Sequence, residues 1–128
     1  MKKIYLFVPP FAPILFWILL TTTTLLMLVE LATKYGGWPY WDKVQHASIF
    51  MMLTLTGSFV FQQKKTWMVI GLISYGAATE LLQGMFTLTR LASINDWLAD
   101  TTGVVIGLLI LVLVKKLSPA IKPHVSRI

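Results

Sequence analysis

The sequence predicts an all-α polytopic membrane protein, with four transmembrane helices and both ends of the chain inside. Three observations predict it. Hydrophobic residues make up 56% of the 128 and charged residues only 12%, about half the charge of a soluble domain. The mean hydropathy is +0.74. The apolar residues also gather into four long runs separated by short polar segments, and lipid tolerates apolar side chains on every face of a helix where water does not.

The runs cover about 11–31, 44–61, 67–86 and 97–114. Each is near the ~20 residues that cross a ~30 Å hydrocarbon core. Lipid forces backbone groups to pair within each helix, so four hairpin-connected helices follow. They form one transmembrane domain over 1–117, with a short basic cytoplasmic tail over 118–128. The first run follows Lys2 and Lys3 but reads as a span. It exceeds the ~7–15 residues of a signal-peptide core, and no small-residue cleavage site follows. Thr21, Thr22, Thr23 and Thr24 lie within it, and their hydroxyls can bond carbonyls one turn back. A polar pathway is the alternative reading of these threonines.

Basic residues set the orientation. With the N-terminus inside, Lys2, Lys3, Lys64, Lys65, Lys115, Lys116, Lys122 and Arg127 lie inside, leaving Lys34, Lys43 and Arg90 outside. The positive-inside rule therefore gives N-in, C-in. Trp38, Tyr40, Trp41 and Trp97 form an outer aromatic belt, with Trp67 at the inner one. Net charge is +6, but the basic residues flank apolar runs, which points to lipid headgroups and away from nucleic acid. The absence of cysteine excludes disulfides, thiol nucleophiles and thiolate metal ligands.

All five acidic residues, Glu30, Asp42, Glu80, Asp96 and Asp100, fall toward the outer half. Acids had no part in setting the orientation, so this segregation is an independent observation. Asp42 and His46 are four apart at the start of the second helix, about 40° apart around it. A carboxylate there can orient a histidine and hold its tautomer; the plain alternative is a helix start with Asp42 on the N-terminal dipole. Glu80 and Gln83 share one face near the end of the third helix. At that depth Glu80 must face the bundle interior or water. Arg90 falls in the next connection. Ser93-Ile-Asn-Asp96 forms a capping box, which accounts for Ser93. Asp100 lies one turn below Asp96, about 6 Å along the axis, and two such carboxylates need water, a cation or a basic partner. His46, Lys43 and Arg90 lie on the same membrane side and are the candidates.

Ala99, Gly103 and Gly107 recur at intervals of four down the fourth helix, a spacing that lets another helix approach closely. Gly71, Ser74 and Ala78 offer a similar face on the third.

The ordered set Asp42-Lys43-x-x-His46, Glu80-x-x-Gln83, Arg90, Ser93, Asp96 and Gly103 resembles the VanZ-like family over roughly 42–107. One departure stands out: the family commonly has Asn where this chain has Asp100. The resemblance implies a multi-pass protein of the bacterial cytoplasmic membrane and cell envelope. It also brings an association with resistance to the glycopeptide antibiotic teicoplanin, and no molecular activity.

Three function classes fit these residues. The first is an enzyme or binding site for an envelope lipid or lipid-linked cell-wall precursor. In it His46 is general acid or base, oriented by Asp42, and Lys43, Arg90 and the start of the fourth helix receive a phosphate. Alternatively, Glu80, Asp96 and Asp100 hold a divalent cation through oxygen ligands. The second class is a small proton-coupled transporter working as a homo-oligomer, although alternating access prefers a midplane site and internal repeats. The third is a non-catalytic accessory protein whose polar residues only fix helix packing.

Overall fold

The computed structural model describes residues 8–28, 40–88 and 91–117. Within them lie four α-helices and no strand: α1 (Ala12–Leu28), α2 (Trp41–Val60), α3 (Lys65–Phe86) and α4 (Ile94–Leu117). Lys2, Lys3, Glu30, Lys34, Trp38, Arg90, Lys122 and Arg127, and the tail over 118–128, lie outside the described residues.

Local chemistry sets most helix ends. The Pro9 carbonyl accepts from the Ala12 N–H at 3.0 Å, and Pro13 sits in the first turn, where a missing N–H costs nothing. Between α2 and α3 the chain turns within 61–64, closed by the Lys64 N–H on the Phe61 carbonyl at 3.0 Å. So short a link makes α2 and α3 antiparallel neighbours. Thr87 ends α3 by leaving the helical region, at φ −112° and ψ 145°.

Four spans were expected, and two of the described helices, α3 and α4, are long and apolar enough to cross a membrane. Only 28% and 22% of their apolar stretches are buried, unlike a helix enclosed in a soluble core. The other two fall short for separate reasons. α1 is apolar but has 17 described residues. α2 has 20 residues, and Asp42, Lys43, Gln45 and His46 in its first turns lower its apolar character.

The helices assemble around Phe16, Phe50, Leu53, Met68, Leu72 and Val104. Phe50 and Tyr75 lie 5.7 Å apart between ring centres. The exterior is largely apolar, including Trp17, Leu25, Leu81, Val105, Leu109 and Leu113. The interior, conversely, holds polar side chains: Thr23, His46, Thr54, Thr79, Glu80, Gln83 and Asp100 are all buried. Several hydroxyls satisfy themselves on their own helix. Thr24, Thr54, Thr56 and Thr101 each donate to the carbonyl four residues back, at 2.8–3.0 Å. Among the threonines of the first run, Thr24 makes the pairing expected of them. Thr24 also meets the Tyr75 hydroxyl at 2.7 Å, linking α1 to α3.

The most extensive interface joins α2 and α4. A Cβ added at Gly103 would run into the Ala47 carbonyl, and one at Gly107 would lie 2.8 Å from Thr54 Cβ. The small-residue stripe of α4 therefore makes the close approach expected of it. The expected partner stripe on α3 does not. Gly71, Ser74 and Ala78 are exposed, and nothing lies within 4 Å of a Cβ at Gly71. The close approach on α3 falls at Gly76, where a Cβ would lie 3.1 Å from Asp100 Oδ2.

Gly103→Ala should therefore destabilise the bundle by roughly 1–3 kcal/mol through overpacking. Gly71→Ala should be neutral, or stabilising by up to about 1 kcal/mol through lost unfolded-state entropy. Denaturant titration of both variants in detergent micelles checks the pair. Equal effects would mean that α2 and α4 do not meet at Gly103.

Candidate functional site

The polar residues of α2, α3 and α4 converge at one end of the bundle. α2 and α4 begin there and α3 ends there, because successive helices run antiparallel. Lys64, Lys65, Lys115 and Lys116 mark the opposite end of α3 and α4. Among the described residues the acids (Asp42, Glu80, Asp96 and Asp100) are thus separated from all the lysines except Lys43.

His46 is at the centre. It lies one turn into α2 and is 5% exposed. Its Nδ1 pairs with Asp100 Oδ1 on α4 at 2.8 Å. With Asp100 ionised the carboxylate can only accept, which puts the ring proton on Nδ1; with Asp100 protonated the acid donates to Nδ1. Asp42, expected to orient His46, does not take that role. Its carboxylate is half exposed and 3.9 Å from Lys43 Nζ. The first turn of α2 faces water at this point, whereas His46 is turned toward α4. The orienting carboxylate is the deeper Asp100.

Glu80, 4% exposed, reaches the same place from α3. Its Oε1 is 4.0 Å from His46 Nδ1. Its Oε2 accepts the Ser93 backbone N–H at 3.0 Å. The expected capping box is therefore half realised. Ser93 Oγ accepts the Asp96 N–H at 3.3 Å, as an N-cap should. The reciprocal bond comes from Glu80 on another helix, and the Asp96 side chain is free to pair with Lys43. Asp96 and Asp100 thus each have a basic partner, Lys43 and His46 respectively.

Those engagements change several expected roles. Lys43 does not stand free to receive a phosphate, because Asp96 and Asp42 surround its ammonium. The Ser93 N–H at the start of α4 is taken by Glu80. Gln83 points to α1, donating from Nε2 to the Met27 carbonyl at 2.9 Å, so it ties two helix ends together. Trp97 donates from Nε1 to the Ile73 carbonyl at 3.0 Å and sits half-buried at the α3–α4 seam. Arg90 lies outside the described residues.

The expected cation trio of Glu80, Asp96 and Asp100 is not the set that comes together. Two groups do, with one ligand atom from each member within 4.8 Å of the others: His46 with Glu80 and Asp100, and His46 with Asp42 and Asp96. Two oxygens in the first group, Glu80 Oε1 and Asp100 Oδ2, are buried with no hydrogen-bond partner among the described residues. Gly76 is the contributor that sequence patterns missed. Gly76 makes room for Asp100; its one sequence signal is its place four residues before Glu80.

A cavity of about 240 Å³ opens beside Glu80, walled by Ala77, Leu81, Ala92, Ser93, Ile94 and Trp97. Its lining is apolar apart from the glutamate and serine. A second apolar cavity, about 270 Å³, lies toward the lysine end between α1 and α3, against Phe16, Leu20, Met68 and Leu72. It holds none of the clustered acids.

No protein-family model, curated protein or solved structure matches this chain.

The buried pair and the rim pair should differ in worth. Breaking His46–Asp100 by Asp100→Ala leaves a buried imidazole N–H unpaired, at a cost of about 1–3 kcal/mol. The Lys43–Asp96 pair has a lysine side chain 35% exposed, and should couple by only ~0.2–1 kcal/mol, falling with added salt. Double-mutant cycles on the two pairs, at low and high salt, measure this difference. A rim coupling as large as the buried one would contradict it.

Proposed function

We propose that the chain is a four-span integral membrane protein of the bacterial cytoplasmic membrane and of VanZ-like type. Its acid-and-histidine end lies at extracytoplasmic headgroup depth and binds an envelope lipid or lipid-linked cell-wall precursor. One observation carries the proposal: a buried His46–Glu80–Asp100 cluster, at one end of a bundle whose exterior is apolar, borders a lateral apolar cavity.

The exterior of Leu, Val, Ile and Phe exceeds what a water-exposed surface tolerates in one molecule. The 17 residues of α1 rise about 26 Å at 1.5 Å each, close to the ~30 Å core. α2 matches the core in length, and its polar first turns would lie among headgroups. Lys64, Lys65, Lys115 and Lys116 at the other end favour placing that end in the cytoplasm. The cavity beside Glu80 has apolar walls suited to the upper part of an acyl or prenyl chain, with the Glu80 carboxyl and Ser93 as the polar groups in its lining. Through the family resemblance, a contribution to teicoplanin tolerance belongs to the same proposal.

A proton-coupled transporter uses the same buried acids but needs them near the midplane. Here they gather at one end, which favours the lipid site.

The chain has no cysteine, so single cysteines report topology cleanly. Cysteine at Leu88, 97% exposed between α3 and α4, should react with a membrane-impermeant maleimide on intact cells. Cysteine at Lys64, between α2 and α3, should react only after lysis. The reverse pattern would invert the orientation, and labelling of both on intact cells would remove the membrane topology altogether.

Lipid binding is tested by native mass spectrometry of detergent-purified protein. Wild type should retain a specific lipid, and Ala77→Trp, which fills the cavity beside Glu80, should lower its occupancy several-fold with helicity unchanged. Equal retention by both proteins would sink the lipid site. Proton-coupled flux in liposomes, lost in Glu80→Gln, would favour the transporter instead.

A further inference from the structure

We infer that His46, Glu80 and Asp100 form a binding site for one divalent transition-metal ion of the Zn2+ or Mn2+ type. The three residues come from three helices, α2, α3 and α4, and are 5%, 4% and 1% exposed. Their ligand atoms already lie close. His46 Nδ1 is 2.8 Å from Asp100 Oδ1 and 4.0 Å from Glu80 Oε1. With metal–ligand bonds of about 2.0–2.2 Å, neighbouring ligands of a tetrahedral ion stand roughly 3.4 Å apart. These two separations bracket that value, and all three ligand atoms lie within 4.8 Å of one another.

The second observation is how the oxygens are used. Each carboxylate has one oxygen committed to the protein and the other bare. Glu80 Oε2 holds the Ser93 N–H while Oε1 is unpartnered. Asp100 Oδ1 holds His46 while Oδ2 is unpartnered beside Gly76. Buried polar groups are almost always paired, and two carboxylates in an apolar interior need either protons or compensating positive charge. A divalent ion supplies two positive charges to two negative ones. Lys43 cannot serve instead, because Asp96 holds it at the rim. Coordination by His46 would move its ring proton from Nδ1 to Nε2.

The donor set selects the kind of ion. One imidazole nitrogen and carboxylate oxygens, with no thiolate, suit Zn2+ or Mn2+. Ca2+ asks for six to eight oxygens, and Mg2+ gives up its water reluctantly. Three protein ligands leave a position open for water or, should the lipid site proposed above hold, for a phosphate oxygen of its headgroup. In the second candidate group the carboxylates of Asp42 and Asp96 share the Lys43 ammonium, and Asp42 is half exposed.

The test uses the full-length protein in detergent and does not depend on any lipid. Metal content is measured by inductively coupled plasma mass spectrometry. The protein is then stripped with chelator, and Zn2+, Mn2+, Mg2+ and Ca2+ are added back singly while thermal unfolding and binding heat are recorded. About one Zn2+ or Mn2+ per chain is expected, with the melting temperature falling on chelation and recovering on addition. His46→Gln and Asp100→Asn should each lower affinity at least about tenfold, whereas Asp42→Asn should not. Glu80→Gln keeps an acceptor for the Ser93 N–H and serves as the variant most certain to fold. A folded wild-type protein that holds none of these ions, and whose melting none of them shifts, overturns the site. Response to Mg2+ or Ca2+ alone overturns the assignment of the ion class, and equal loss in Asp42→Asn overturns the assignment to the inner group.

Discussion

Between Ala47 and Gly103 the backbones of α2 and α4 approach so closely that not even a methyl group fits between them. The rest of the polar end depends on that approach. Ala47 is the neighbour of His46, and Gly103 lies just under one turn below Asp100. Bringing the two backbones together therefore sets the imidazole against the carboxylate at hydrogen-bond distance. A larger residue at 103 would part the helices at the level where His46 and Asp100 meet. Gly76 does the corresponding work on α3, leaving space against Asp100. Small residues here do more than permit packing; they determine how near the chemically able side chains come to one another.

The polar end divides into a buried layer and a rim. In the buried layer His46, Glu80 and Asp100 are removed from solvent, where electrostatic interactions are strong and unpaired atoms are costly. At the rim Asp42, Lys43 and Asp96 remain partly solvated, where an ion pair contributes little. The three helix starts and ends are tied by bonds that cross between elements: Glu80 to the Ser93 N–H, Gln83 to the Met27 carbonyl, and Trp97 to the Ile73 carbonyl. These cross-links hold a region that has little apolar surface of its own to bury.

Much of the fold was legible in the sequence, since long apolar runs with short polar breaks leave few arrangements besides antiparallel helices. Local features were legible too. The Ser93 cap, the back-bonded threonines and the Gly103–Gly107 stripe each depend on residues a turn apart. Membrane-crossing character was expected of all four runs and is met among the described residues by α3 and α4; the described part of α1 has 17 residues, and the polar first turns of α2 lower its hydropathy although its 20 residues are long enough. The site residues were recognisable individually, but their partners were not. Asp42 is the near neighbour of His46 in sequence, yet the partner is Asp100, 54 positions away. Two small-residue faces occur on α3, and spacing alone does not distinguish the exposed one at Gly71 from the packed one at Gly76. Sequence proximity reports helix faces; it does not report which faces meet.

The bond from the Ser93 N–H to Glu80 has a consequence for assembly. An ordinary helix carries its own start signal, so it can nucleate before its neighbours arrive. α4 has such a signal in its Ser93 cap, and the Ser93 N–H is satisfied in addition by a side chain of α3, thirteen residues earlier in the chain. The two helices are consequently coupled, because the second bond at the start of α4 is made only when α3 is in place beside it. Chain order and bond order agree: the acceptor is synthesised first, and the donor completes it on emergence.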